Sequence, residues 1–130
     1  PKNIIDMINE VIISNSVQVA GEVVIEDKAV IGIADGTCTI DPEHPRLSEM
    51  SADEKTWGVV SGGNFKMLVC SEGGNIETGD FICSSNTVGH GMKQASDTIM
   101  NYTIAKSSEA VDWSTETEST KVIHVTVHCG

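Results

Sequence analysis

Residues 76–94 read IETGDFICSSNTVGHGMKQ, and their local fold is the easiest in the chain to read. Gly79-Asp80 is a tight turn that opens a strand. Successive strand residues face opposite sides, so Phe81 and Cys83 point one way and Ile82 the other. Asn86 to Gly91 holds an asparagine and two glycines, the chemistry of a second turn. Met92 begins a returning strand. An alternating apolar run bounded by turn residues on both sides encodes a β-hairpin.

The same texture extends outward. Lys121 to Cys129 alternates cleanly, with Ile123, Val125, Val127 and Cys129 on one face and Val122, His124, Thr126 and His128 on the other. Further strands are expected at Gln18–Glu26, Ala29–Ile33, Thr37–Ile40, Thr56–Ser61, Phe65–Ser71, Asp80–Ser85 and Asn101–Ser108. Asp35-Gly36 is a turn signal, and Gly62-Gly63-Asn64 reads as a link between strands. Asp41–Glu54 reads as a polar loop holding Pro42 and Pro45, and Ser114–Thr120 as an exposed, mobile hairpin tip. Many short strands without βαβ alternation predict a mainly β fold, a compact β-sandwich or barrel-like domain.

The start of the chain differs. Ile4, Ile5, Ile8, Val11 and Ile12 recur at helical spacing, and Asn3 followed by Asp6 resembles an N-cap. This predicts a short helix over Asn3–Ile13, with a strand as the competing reading because the side chains are β-branched. Two regions follow, an N-terminal helical or oligomerisation segment at 1–14 and a β domain at 15–130. So short a helix is marginal alone in water. Isoleucines at seam positions suit three-stranded bundles, and a homotrimer is therefore expected. Because the sequence starts at Pro1, it reads as cut from something longer.

With 130 residues the chain makes one domain, and aromatic residues are only 4 % of it. Its core must be built from Val, Ile, Met and Cys. Eight basic residues against 19 acidic ones give a net charge of −11, a poor surface for nucleic acid, whose phosphates need Lys and Arg. No apolar run approaches the ~20 residues of a membrane span, so no membrane insertion is expected. Cys38, Cys70, Cys83 and Cys129 form no CxxC pair and match no zinc spacing. They read as free thiols, as in a protein made in a reducing cytoplasm.

No catalytic, cofactor-binding or metal site is read from the residues. His124 and His128 would share a metal on a helix, but on a strand they stand about 13 Å apart at ~3.3 Å per residue. His44 lies in a proline-bounded turn. Asp80, Ser84, Ser85 and His90 make a Ser/His/Asp grouping on paper, as Cys83 and His90 make a Cys/His one. A triad is defined by geometry, however, and no G-x-S-x-G elbow surrounds these serines. Gly58 to Gly63 lacks the Lys and Ser/Thr of a phosphate loop.

The hairpin pattern I-x-x-GD-x-I-x-SS-x-x-x-G-x-G-M-K, preceded by Gly58-Val59-Val60-Ser61 and followed by Ile104-Ala105-Lys106, resembles the β-rich C-terminal modules of phage tail fibres, neck appendages and large-virus fibre proteins. The likeness runs over residues 22–110. It implies a structural distal domain of a virion fibre, spike or appendage, joined to an upstream fibre and promoting trimer assembly. Some members are self-cleaving intramolecular chaperones, which is the second reading. The third is a host-receptor or glycan-binding module, using the acidic loop Asp41–Asp53 with Trp57 or Trp113.

Overall fold

The computed structural model describes residues 10–14, 25–35 and 58–129. These residues form β1 (Ile12–Ser14), β2 (Val30–Asp35), β3 (Gly58–Val60), β4 (Gly62–Cys70), β5 (Phe81–Ser84), β6 (Gly91–Lys93), β7 (Ala105–Ser107) and β8 (Thr120–His128). Two single 3-10 turns, Ser71–Gly73 and Trp113–Thr115, complete the regular structure of the described residues.

Strands β4, β6, β5, β7 and β8 close into a five-stranded barrel in that order. Its spine is the antiparallel β4–β8 pair, in register from Gly62↔His128 to Cys70↔Thr120. The 76–94 hairpin appears as read: β5 pairs β6 through Ile82↔Lys93, Cys83↔Met92 and Ser84↔Gly91. Closure needs β6 to lie against β4, where Val69 pairs Gly91 in parallel. A Cβ on Gly91 would stand 2.7 Å from Ile82 Cγ2 and 2.8 Å from Met67 Sδ. Such distances leave no room for a side chain, so glycine permits the close approach.

Period-two burial fills the barrel. Met67, Val69, Ile82, Ile104, Ile123, Val125 and Val127 point inward into one cluster. Each contributes about 1.5–3 kcal/mol by leaving water. As the composition required, the buried cluster is aliphatic, and Phe65 and Trp113 pack on it only partly buried. Cys83, one residue on from Ile82, faces a separate small cluster with Cys70, Met92 and Tyr102. Strand β5 is thus packed on both faces.

A second sheet, β1-β2-β3, is antiparallel throughout. It shares the main core through Ile12 and Ile33, both fully buried. Backbone bonds tie it to the barrel: Ile12 N–H to Gly89 C=O (3.0 Å), Leu68 N–H to Glu10 C=O (2.9 Å) and Glu26 N–H to Ser84 C=O (3.0 Å).

Three expectations need correction or placing. The helix over Asn3–Ile13 lies mostly outside the described residues, and its described end, Ile12-Ile13, is strand. The β-branched preference wins there because Ile12 joins a core and a ladder. Gly62-Gly63-Asn64 is not a link but the first third of β4. Ser114–Thr120 belongs to the long β7–β8 connection, and its start is pinned: Asp112 Oδ1 accepts the Ser114 N–H at 3.0 Å and the Trp113 indole donates to Gly74 C=O at 2.9 Å. Strand Thr37–Ile40, loop Asp41–Glu54, His44, Cys38 and Trp57 lie outside the described residues, as does 18–24. No helix among the described residues is long and apolar enough to cross a membrane.

Candidate functional site

The polar groups of the hairpin are close together and fully engaged in holding it. Ser84 is buried, and its Oγ accepts the Asp27 N–H at 2.8 Å. Asp27 in turn accepts the Ala29 N–H on Oδ1 at 2.9 Å. Ser85 Oγ lies 2.8 Å from His90 C=O and accepts the Thr87 N–H at 3.1 Å. The His90 ring turns to Val88 C=O, with Nδ1 at 2.7 Å. Asp80 faces the other end of the strand, where Oδ2 accepts the Glu77 N–H at 2.8 Å and sits 3.8 Å from Lys93 Nζ. These are turn and docking contacts, of the kind serine and aspartate make wherever backbone must reverse. Among the described residues no hydrogen bond joins an imidazole nitrogen to a serine hydroxyl.

Cys83 and Cys129 offer no nucleophile either. Burial pushes Cys83 up to about 12, with the Glu26 and Glu72 carboxylates adding to it, and burial alone pushes Cys129 up to about 11. Both stay protonated at neutral pH, and the thiol is the unreactive form. Cys70, Cys83 and Cys129 are free cysteines. Trp113 is held by its indole bond and packs against the core, so its ring is not a free platform. Among the described residues no three His, Cys, Asp or Glu side chains gather where they would hold a metal. His124 and His128 share the outer face of β8, four residues apart on one strand.

A different set of polar side chains meets around a cavity of about 570 Å³. Its floor is the β4–β8 spine. Lys66 stands opposite His124, Phe65 opposite Val125 and Asn64 opposite Thr126. Asn64, Lys66 and His124 therefore lie on the outer face of two paired strands. Ser108 enters from the segment after β7, and Glu10 and Asp35 from the β1-β2-β3 side.

The backbone around this cavity is well tied. Glu10 holds a left-handed conformation, φ 64°, with its N–H on Ala34 C=O at 2.8 Å and its C=O taking the Leu68 N–H. A non-glycine residue adopts that conformation only where its surroundings fix it. His124 is gripped from both sides: its N–H donates to Glu109 Oε2 at 2.8 Å and its C=O accepts the Ser108 N–H at 3.0 Å. Thr126 Oγ1 donates to Asn64 Oδ1 at 3.1 Å. The described ion pairs are Lys93–Asp80 and Lys121–Glu116, and Lys66 belongs to neither.

The chain matches no protein-family model, no curated protein and no solved structure. Of the cavity residues, His124 alone drew notice in the sequence, and for a metal geometry the strand forbids. Asn64 stood in an assumed turn. Asp35 carried only a turn signal with Gly36 and ends β2 instead, and Lys66, Ser108 and Glu10 carried no local signal. The one pointer was the alternation of β8, which sets His124 outward without saying what lies opposite.

Proposed function

We propose that this chain is a structural distal domain of a viral fibre, spike or appendage, a virion component that assembles as a homotrimer on an upstream fibre. The observation that carries the reading is the engagement of Ser84, Ser85, His90 and Asp80 in the hairpin's own hydrogen bonds. The fibre-like motif is a framework, and its hydroxyls and imidazole act as fasteners. The barrel is closed along its sides, which removes sheet edges that would otherwise pair with other chains without control. The aliphatic side chains Ile4, Ile5 and Ile8, ahead of β1, supply the trimer contact. The excess of acidic residues disfavours nucleic acid as a partner.

Light scattering coupled to size exclusion tests the assembly. A mass of three chains at micromolar concentration is expected, falling to one chain when the first nine residues are removed. A single-chain mass for the intact sequence at all accessible concentrations overturns it. A trimer that survives the removal moves the contact onto the barrel.

A further inference from the structure

We propose that the cleft on the outer face of β4 and β8 binds the terminal residue of a neutral glycan. Its volume, about 570 Å³, falls within the ~300–1,000 Å³ of small-molecule sites. The chemistry narrows the ligand. Among the described lining residues the carboxylates Glu10 and Asp35 outnumber the one ammonium, Lys66. The whole chain carries −11. Phosphate, sulfate and acidic sugars are repelled on both counts. A nucleobase needs an open aromatic face, and Phe65 is partly buried against the core.

A neutral sugar suits what remains. Its hydroxyls both donate and accept, and its C–H faces lie on the part of Phe65 that remains accessible. Asn64 is exposed and accepts from Thr126 Oγ1 on Oδ1, and its amide N–H groups are the donors offered to a ligand. Lys66 and Ser108 add donors. The two ring nitrogens of His124 add further hydrogen-bonding groups. The strands that carry these groups are ordered before binding, so little entropy is lost on ligand entry. The inference does not rest on the trimer. Sugar titration and particle mass are separate readouts, and either can fail alone.

The test is a titration of the isotopically labelled full chain, followed by amide NMR. The probes are methyl β-galactoside, methyl α-glucoside and methyl α-mannoside, with N-acetylneuraminic acid as the anionic arm. Saturable shifts at the Asn64, Lys66, Ser108 and His124 amides are expected with at least one neutral glycoside, while Gly74 and Trp113 stay unmoved. Asn64→Ala and His124→Ala each weaken binding about tenfold, the loss of one well-made hydrogen bond. Both residues are exposed, so the variants keep dispersed spectra. No saturable shift with any glycoside overturns the proposal, as does a shift pattern spread over the chain. So do unchanged affinity in both variants and tighter binding of N-acetylneuraminic acid than of every neutral sugar.

Discussion

The Asp80–Lys93 hairpin and the outer face of β4 and β8 carry the same kinds of side chain, hydroxyl, imidazole and charged groups. In the hairpin these residues are neighbours in sequence, and their polar atoms satisfy the turn and the loop docked on it. Across β4 and β8 they come from distant parts of the chain. There the contacts that hold Lys66 and His124 run through their backbone, and their side chains stand free of ion pairs among the described residues. Closeness in sequence favours local hydrogen bonds, because the backbone of a turn is always within reach. A binding constellation is assembled instead by strand register.

The sharpest way to break this contrast is through the hairpin's inward face. Ile82→Ala removes a fully buried side chain at the junction of β5, β6 and β7 and leaves a cavity. A loss of about 2–5 kcal/mol is expected, read as a drop in the urea midpoint at unchanged slope. A loss below about 1 kcal/mol shows that the hairpin is not anchored in the barrel as its burial implies.

Ser84→Ala comes next. The hydroxyl is the acceptor for the Asp27 N–H, so its removal strands a buried donor at a cost of about 1–3 kcal/mol. Faster amide exchange at Asp27 localises the effect to the docked loop. Unchanged stability, coupled with lost maturation of a longer chain, reverses the assignment and makes Ser84 a catalytic residue.

The third effect is a pH dependence centred on the hairpin and the β8 end. Burial raises Cys83 to about 12 and Cys129 to about 11, from an ordinary value of 9.0. Above pH 9.0 the unfolded chain loses thiol protons that the folded chain keeps. The stability these thiols contribute is therefore full below that pH and is lost as pH rises through about 11 and about 12. Thermal midpoints in alkaline buffers are expected to fall less steeply for the Cys83→Ala, Cys129→Ala double variant than for the parent. Parallel slopes reject the account.

Much of the barrel was legible because its signals are local. The alternation of Lys121–Cys129 named the buried face of β8 correctly, with Ile123, Val125 and Val127 inside. The turn residues of 76–94 set the hairpin. Less was legible wherever a neighbour decided the outcome. Gly62-Gly63-Asn64 has the composition of a turn, yet it is held as strand by pairing with Thr126, Val127 and His128. Ile12 has helical spacing to its predecessors, and its place in the core makes it strand. The cleft depends on Lys66 meeting His124 and on Ser108 folding back to His124 C=O, pairings that no spacing in one dimension encodes.

The smallest expected effect is the most informative about the second region. Lys66→Ala and His124→Ala remove exposed side chains from the outer face of the spine. The contacts that hold His124 in place use its N–H and its C=O, which alanine supplies equally. Lys66 keeps its ladder position opposite residue 124 whatever its side chain. Each substitution is therefore expected to change stability by no more than about 0.5 kcal/mol, the usual range for surface positions. The double variant is the sum of the two within error if the side chains do not support one another. Denaturant titration of the four proteins measures both quantities. A loss above about 1 kcal/mol in either single variant, or a clear coupling in the double, identifies the pair as cross-strand fasteners. The outer face would then resemble the hairpin, with polar side chains held for stability. Near-neutral values leave them free to meet a ligand, because a group that adds nothing to the fold can exchange its water for a partner without weakening the barrel beneath it.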